Sequence, residues 1–189
     1  MIIVYDTETN GLPKSYKDPI TNVENWPRAI QVAWALYENS GEEHRAEMFL
    51  VTPNGWEIPE DAAKVHGITM DRAMALGQSI DVVLNLLMVD IIKSDLVVGH
   101  NIRFDQNVLG AELVRLGRSG DTLVIPSIDT MTGTVKFCKI PGKFGFKWPK
   151  LGELYKILFN EDLADAHDAL NDVRATAKCF FELRKLGVL

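Results

Sequence analysis

The chain opens on Ile2-Ile3-Val4-Tyr5, four residues that are apolar on both faces of a pleat. A strand of that kind must be covered on both sides, which places it centrally in a sheet sandwiched by helices. Asn10-Gly11-Leu12-Pro13 stops it. Ala29 to Tyr37 and Ala46 to Val51 read as two further strands, with residues 13–27 as a polar, irregular insertion between the first two. Helices are expected over Pro59 to Val65, Thr69 to Ala75, Ser79 to Ile92, Arg103 to Leu116, Lys150 to Leu158 and Asp168 to Leu186. Leu96 to Gly99 and Val124 to Ile128 read as short strands, and Asp129 as the N-cap of a following helix. This order predicts an α/β fold, a mixed sheet flanked by helices. With 189 residues and no linker or repeat, residues 1–189 are expected to form one domain.

The informative side chains are acids where apolar residues belong. Asp6 and Glu8 share the pleat face of Ile2 and Val4, at the carboxyl end of the first strand. Open α/β sheets bind ligands in crevices outside such strand ends. On its helix, Asp105 has Val108, Leu109, Leu113 and Leu116 within about 80°; Glu112 shares that arc and blurs the signal. Asp172 has Thr176, Cys179, Phe180, Leu183 and Leu186 within about 80°, with Arg174, Arg184 and Lys185 opposite.

Taken singly, each acid is as well explained by a cap or a salt bridge. Taken together, four converging buried carboxylates repel and resist ionising. Arginine partners or divalent cations would relieve this. Arg28 and Arg103 are the available bases, too few for four acids. Hard oxygen donors suit Mg²⁺ or Mn²⁺, and two such ions would neutralise all four charges. His167 lies about 140° from Asp172 by helical geometry, so it stands off the buried stripe. It is either a surface residue or a general base leaning over the site. Asp168 reads as a helix N-terminal acid favoured by the dipole.

Three segments carry a resemblance. Asp6-Thr7-Glu8-Thr9, His100-Asn101-Ile102-Arg103-Phe104-Asp105 and His167-Asp168-Ala169-Leu170-Asn171-Asp172 resemble, in order and spacing, the three motifs of the DEDDh 3′–5′ exonucleases, relatives of the proofreading subunit of bacterial replicative DNA polymerase. Val65-His66-Gly67-Ile68-Thr69 looks like a further segment common in that family. The resemblance implies a ribonuclease H-like fold with a five-stranded sheet whose second strand runs antiparallel to the rest. It implies Asp6, Glu8, Asp105 and Asp172 as ligands of two Mg²⁺ or Mn²⁺ ions and His167 as general base. The Thr9 backbone and Leu12 would hold the terminal nucleotide, and the product would be a nucleoside 5′-monophosphate. Residues 15–25 depart from the pattern by their length.

Net charge is −6, which excludes a generally basic nucleic-acid binder. A local patch survives: residues 136–150 hold Lys136, Lys139, Lys143, Lys147 and Lys150 and no acid, with Phe137, Phe144, Phe146 and Trp148 among them. Lysines for phosphates and aromatics for bases is the chemistry of single-strand binding, and Lys143 and Lys147 are the expected contacts; a solvated loop anchored by its aromatics is the alternative. His66 and His100 are expected to be hydrogen-bonded structural residues, and Trp34 a core residue.

The leading functional expectation is therefore a metal-dependent 3′–5′ exonuclease on single-stranded or frayed ends, DNA favoured over RNA. Its rivals are a non-catalytic nucleic-acid or polymerase-binding module on the same fold, and a phosphatase or nucleotidase on small substrates. Two cysteines exclude a disulfide framework, and neither a signal peptide nor a membrane span is evident. A reduced, cytoplasmic protein without membrane association is expected. A polymerase or repair partner is conceivable, but Leu189 follows the last motif closely, which favours a stand-alone or transiently recruited nuclease.

Overall fold

A computed structural model describes residues 1–120, 126–164 and 168–189. Strand β1 (Ile2–Thr9) lies in the middle of a five-stranded sheet. Its neighbours are β2 (Ala29–Tyr37), antiparallel, and β4 (Leu96–Gly99), parallel. Strand β3 (Glu43–Leu50) pairs antiparallel with β2 at one edge, and β5 (Ser127–Asp129) pairs parallel with β4 at the other. The order is β3-β2-β1-β4-β5, with β2 alone reversed, as the family resemblance implies.

Every residue of β2 is buried, and the first four of β1 are too. Strand β1 continues past its apolar run through Asp6, Thr7 and Glu8, because β2 supplies backbone partners there: Asp6 faces Ala33 and Glu8 faces Gln31. A register shift between Glu8 and Thr9 sets the last pair, Thr9 opposite Ala29. Strand β3 begins three residues ahead of its expected start. At a sheet edge the ladder to β2 continues under exposed side chains that carry no apolar signal. For β5, residues 124 and 125 of the expected strand lie outside the described residues, and the visible part runs one residue further, to Asp129.

Helices cover both faces. Ile3 and Tyr5 pack with Val83, Leu84 and Leu87 of α3 (Ile80–Ile92) and Val108 and Leu109 of α4 (Ile102–Arg115). Ile2 and Val4 pack with Ala169, Val173 and Phe180 of α8 (Ala169–Lys185). Short helices α1 (Glu60–His66) and α2 (Met70–Leu76) sit at their expected places, and Trp34 is fully buried. The insertion at 13–27 forms neither strand nor helix, yet it is pinned. Asn25 exchanges hydrogen bonds with the Ser15 backbone, Trp26 is buried with its indole N–H on the Pro19 carbonyl, and Arg115 donates to the Val23 and Trp26 carbonyls.

The stretch after β5 holds more structure than the sequence suggests. Helices α5 (Thr130–Gly133) and α6 (Val135–Cys138) lead into a two-stranded hairpin, β6 (Pro141–Gly142) and β7 (Gly145–Phe146), before α7 (Leu151–Phe159). Among the described residues no helix is long and apolar enough to cross a membrane.

Candidate active site

Strand β1 sends alternate side chains to opposite layers, so Asp6 and Glu8 face α8 while Thr7 faces α4. Helix α8 starts at an N-cap, Asp168, whose carboxylate accepts from the Leu170 and Asn171 N–H groups. That cap sets Asp172 in the first turn, over the end of β1. One carboxylate oxygen each of Asp6, Glu8 and Asp172 lies within 4.8 Å of the others.

The α8 N-terminus is docked by a residue that the sequence reading passed over. Gln31, opposite Glu8 in the sheet, is buried and accepts from the Ala169 N–H at 3.1 Å. Its signal was there to find, an amide inside the otherwise apolar Ala29-Ile30-Gln31-Val32-Ala33-Trp34.

Asp105 reaches the site from the other layer. It sits in the first turn of α4, 2% exposed, and accepts from the Thr7 N–H at 3.0 Å and the Thr7 hydroxyl at 2.7 Å. The residue between the two strand acids therefore ties down the third motif acid. Helix α4 can start so close to β4 because Asn101 takes a left-handed turn (φ 66°) and its N–H is held by Asp129. Asp129 also caps α5, accepting from the Met131 and Thr132 N–H groups, as the sequence suggests.

The electrostatics match the geometry. Burial, then the charges of Asp105, Asp172, Glu8 and Asp168, push the Asp6 carboxyl well above the ordinary carboxylate range. Burial, with Asp172, Asp105 and Asp168 beside it, pushes Glu8 up to about 8. Asp105 is raised by burial to about 7 even though both Thr7 hydrogen bonds favour its charged form. Among the described residues, Asp6, Glu8 and Asp105 form no salt bridge with a lysine or arginine. Arg28 is committed to Glu112, with Nε at 2.8 Å, and Arg103 is exposed. The closely set carboxylate oxygens of Asp6, Glu8 and Asp172 are a donor set that fits a hard divalent cation.

His167 lies outside the described residues. His100 is structural as expected: burial lowers its pKa, Nε2 donates to the Pro149 carbonyl at 3.0 Å, and Nδ1 meets the Thr130 hydroxyl at 3.0 Å. His66 is also structural, its Nδ1 accepting from the Ile68 N–H. Thr9 ends β1 with its hydroxyl on the Gly11 carbonyl, and Leu12 nearby is 74% exposed. Lys143 is exposed, whereas Lys147 pairs with Glu153 at 2.5 Å.

The family model described as Exonuclease (RNase_T) matches residues 3–180. The chain belongs to the DEDD exonuclease family. The matched family is one of exonucleases, and the Asp6, Glu8 and Asp172 cluster fits a divalent metal ion. A pairwise search of curated proteins gives no match. Among solved structures, the exonuclease fold resembles Escherichia coli exonuclease I in complex with a dA16 oligonucleotide, with a TM-score of 0.76 at 19% identity. It resembles a moderately thermophilic exonuclease I from Methylocaldum szegediense with a TM-score of 0.75 at 21% identity. Each match covers 97% of this chain and 40% of the other, so the exonuclease spans well under half the length of these structures. The likeness establishes the ribonuclease H-like fold.

Proposed function

We infer that this exonuclease removes nucleotides one at a time from the 3′ end of single-stranded DNA. Asp6, Glu8, Asp105 and Asp172 would hold two divalent ions, Mg²⁺ or Mn²⁺. The observation that carries this reading is the convergence of Asp6, Glu8 and Asp172 within 4.8 Å, with the Thr7-bound Asp105 pressing on them electrostatically. When bound, the ions supply a lowered pKa for the attacking water and charge neutralisation at the leaving oxygen.

The chain's own residues do the rest. His167, three residues past Ala164 and five before Asp172, is the general base that accepts the proton of the attacking water. The water oxygen bonds to the terminal phosphorus, the bond from phosphorus to the penultimate 3′ oxygen breaks, and that oxygen leaves as a hydroxyl. The products are a nucleoside 5′-monophosphate and a strand shorter by one. Thr9, through its backbone, and the exposed Leu12 position the terminal nucleotide beside β1. Lys143 adds positive charge along the strand's path; Lys147, held by Glu153, contributes less of it.

Single-stranded DNA is favoured because two of the similar structures hold dA16 and dT13 oligonucleotides. The test is a 5′-labelled oligonucleotide incubated with Mg²⁺ or Mn²⁺, in DNA and RNA versions. A ladder shortening from the 3′ end, faster on DNA, is expected. Release of terminal phosphate alone, or no change in length, would overturn the reading.

A further inference from the structure

Hairpin β6–β7 is built unlike the rest of the chain. All six residues from Pro141 to Phe146 are exposed. Its three aromatics are on display, Phe144 at 93%, Phe146 at 53% and Trp148 at 64% exposure. A two-stranded ribbon by itself is marginal in water, so its root must be held, and it is. The Lys147 N–H reaches the Ile140 carbonyl, Lys147 pairs with Glu153, and Pro149 is buried with its carbonyl on the His100 ring. Phe137 and Cys138, just before the ribbon, pack into the cluster around Leu154 and Leu183. The tip, in contrast, leaves Phe144 almost wholly exposed, and the Lys143 ammonium lies 5.2 Å from the Phe144 ring centre.

The root is fastened to the active-site end of the sheet. His100 immediately follows β4, and β4 runs parallel to β1 with Val98 opposite Val4. Continuing that register by two residues sets His100 level with Asp6. The ribbon therefore rises from beside the carboxylates rather than from a remote surface.

Exposed aromatics in such density mark a binding surface. Its charge selects the occupant: Lys136, Lys139, Lys143 and Lys150 are exposed, no acid occurs between residues 136 and 150, and the remainder of the chain stands at −11. A polyanion with flat faces satisfies both features. We propose that β6–β7 is a stacking arm, on which Phe144, Phe146 and Trp148 hold the bases of single-stranded DNA upstream of the 3′ end while Lys139 and Lys143 meet its phosphates. The inference rests on the exonuclease reading of the carboxylate site and adds how the strand beyond the terminal nucleotide is held.

Stacking is separable from charge by using two strands with the same phosphates. One is dT13, a length found bound in a similar structure; the other is its counterpart with abasic sites everywhere except near the 3′ end. In Mg²⁺, the KM for dT13 is expected to be about tenfold lower than for the abasic strand, the order a base–aromatic stack supplies. In the double variant Phe144→Ala/Phe146→Ala that difference falls to about twofold or less. In EDTA, dT13 is expected to quench tryptophan emission, the abasic strand much less, and Trp148→Phe removes the quench, since Trp26 and Trp34 are buried and Trp56 is half-buried under the Arg28 guanidinium. Equal KM values for the two strands in the parent protein, or a double variant that keeps the full difference, would overturn the arm. Failure of the exonuclease reading looks different: neither strand releases mononucleotide, while Trp148 quenching still reports on the arm.

Discussion

Two groups of buried acids lie within the same fold and behave as opposites. Glu112 on α4 is 1% exposed and fully matched: Arg28 grips both its oxygens, Arg115 approaches to 3.2 Å, and the Ala29 N–H donates to it. Asp90 on α3 is equally buried and is met by Arg45 and the Trp34 indole N–H. About two turns away from Glu112 on the same helix, Asp105 accepts from Thr7 and has no arginine or lysine ion pair among the described residues, as is true of Asp6 and Glu8. Burial therefore does not mark the proposed metal ligands. Their company does, because an acid left among acids is tolerable only if something outside the chain neutralises it.

The contrast can be broken most violently at the proposed ligands. Asp6→Asn or Asp172→Asn keeps shape and removes charge, so mononucleotide release should drop by about a thousandfold or more while circular dichroism is unchanged. A variant that turns over like the parent would remove that residue from the ligand set. His167→Ala should lower kcat by about 10²- to 10⁴-fold with metal affinity intact, measured by calorimetric titration; lost metal binding would make His167 a ligand instead.

Glu112→Gln should show the reverse pattern. Arg28 and Arg115 lose their shared counter-ion, and urea unfolding should report a loss of about 2–4 kcal/mol. Activity per folded molecule should stay near the parent value. A drop in kcat as large as that of Asp172→Asn would erase the distinction between the two groups.

Acidity sharpens the comparison further. Unfolded carboxyls titrate near 4, but Glu8 is held up to about 8, Asp105 up to about 7, and Asp6 well above its usual range. The native state thus keeps protons that the unfolded chain has released. Stability of the metal-free protein is expected to be highest below about pH 4 to 5 as far as these groups are concerned, and to decline as pH rises toward about 8. Saturating Mg²⁺ should flatten the decline. Melting temperatures in EDTA that rise between pH 5 and 8, after correction with Glu8→Gln, would contradict the raised acidities.

The smallest effect belongs to Thr7→Val. It removes the hydroxyl bond to Asp105 and leaves the backbone bond, so about 1 kcal/mol of stability should go, with a severalfold change in kcat and the fold retained.

Much of this was readable from the chain. Period two in β1 and the inward arcs of α4 and α8 bring out Asp6, Glu8, Asp105 and Asp172, and the motif spacing adds their order. Those arcs bring out Glu112 just as clearly, because helical periodicity reports which way a side chain points and not what it meets. Its partner Arg28 is 84 residues away in sequence. Thr7 and Gln31 stayed hidden for a related reason: each does its work through a residue on another element. Lys147 reads as a free phosphate contact until α7 brings Glu153 to it. The hairpin escaped because strands of two residues carry no periodicity at all.

Strand β1 grips both layers at once, Asp6 and Glu8 toward α8, Thr7 and through it Asp105 toward α4. A half-folded molecule, with only one layer docked, owns at most part of the cutting machinery. On the proposed ligand set, catalysis waits until the sandwich has closed on both sides, a safeguard that needs no inhibitor.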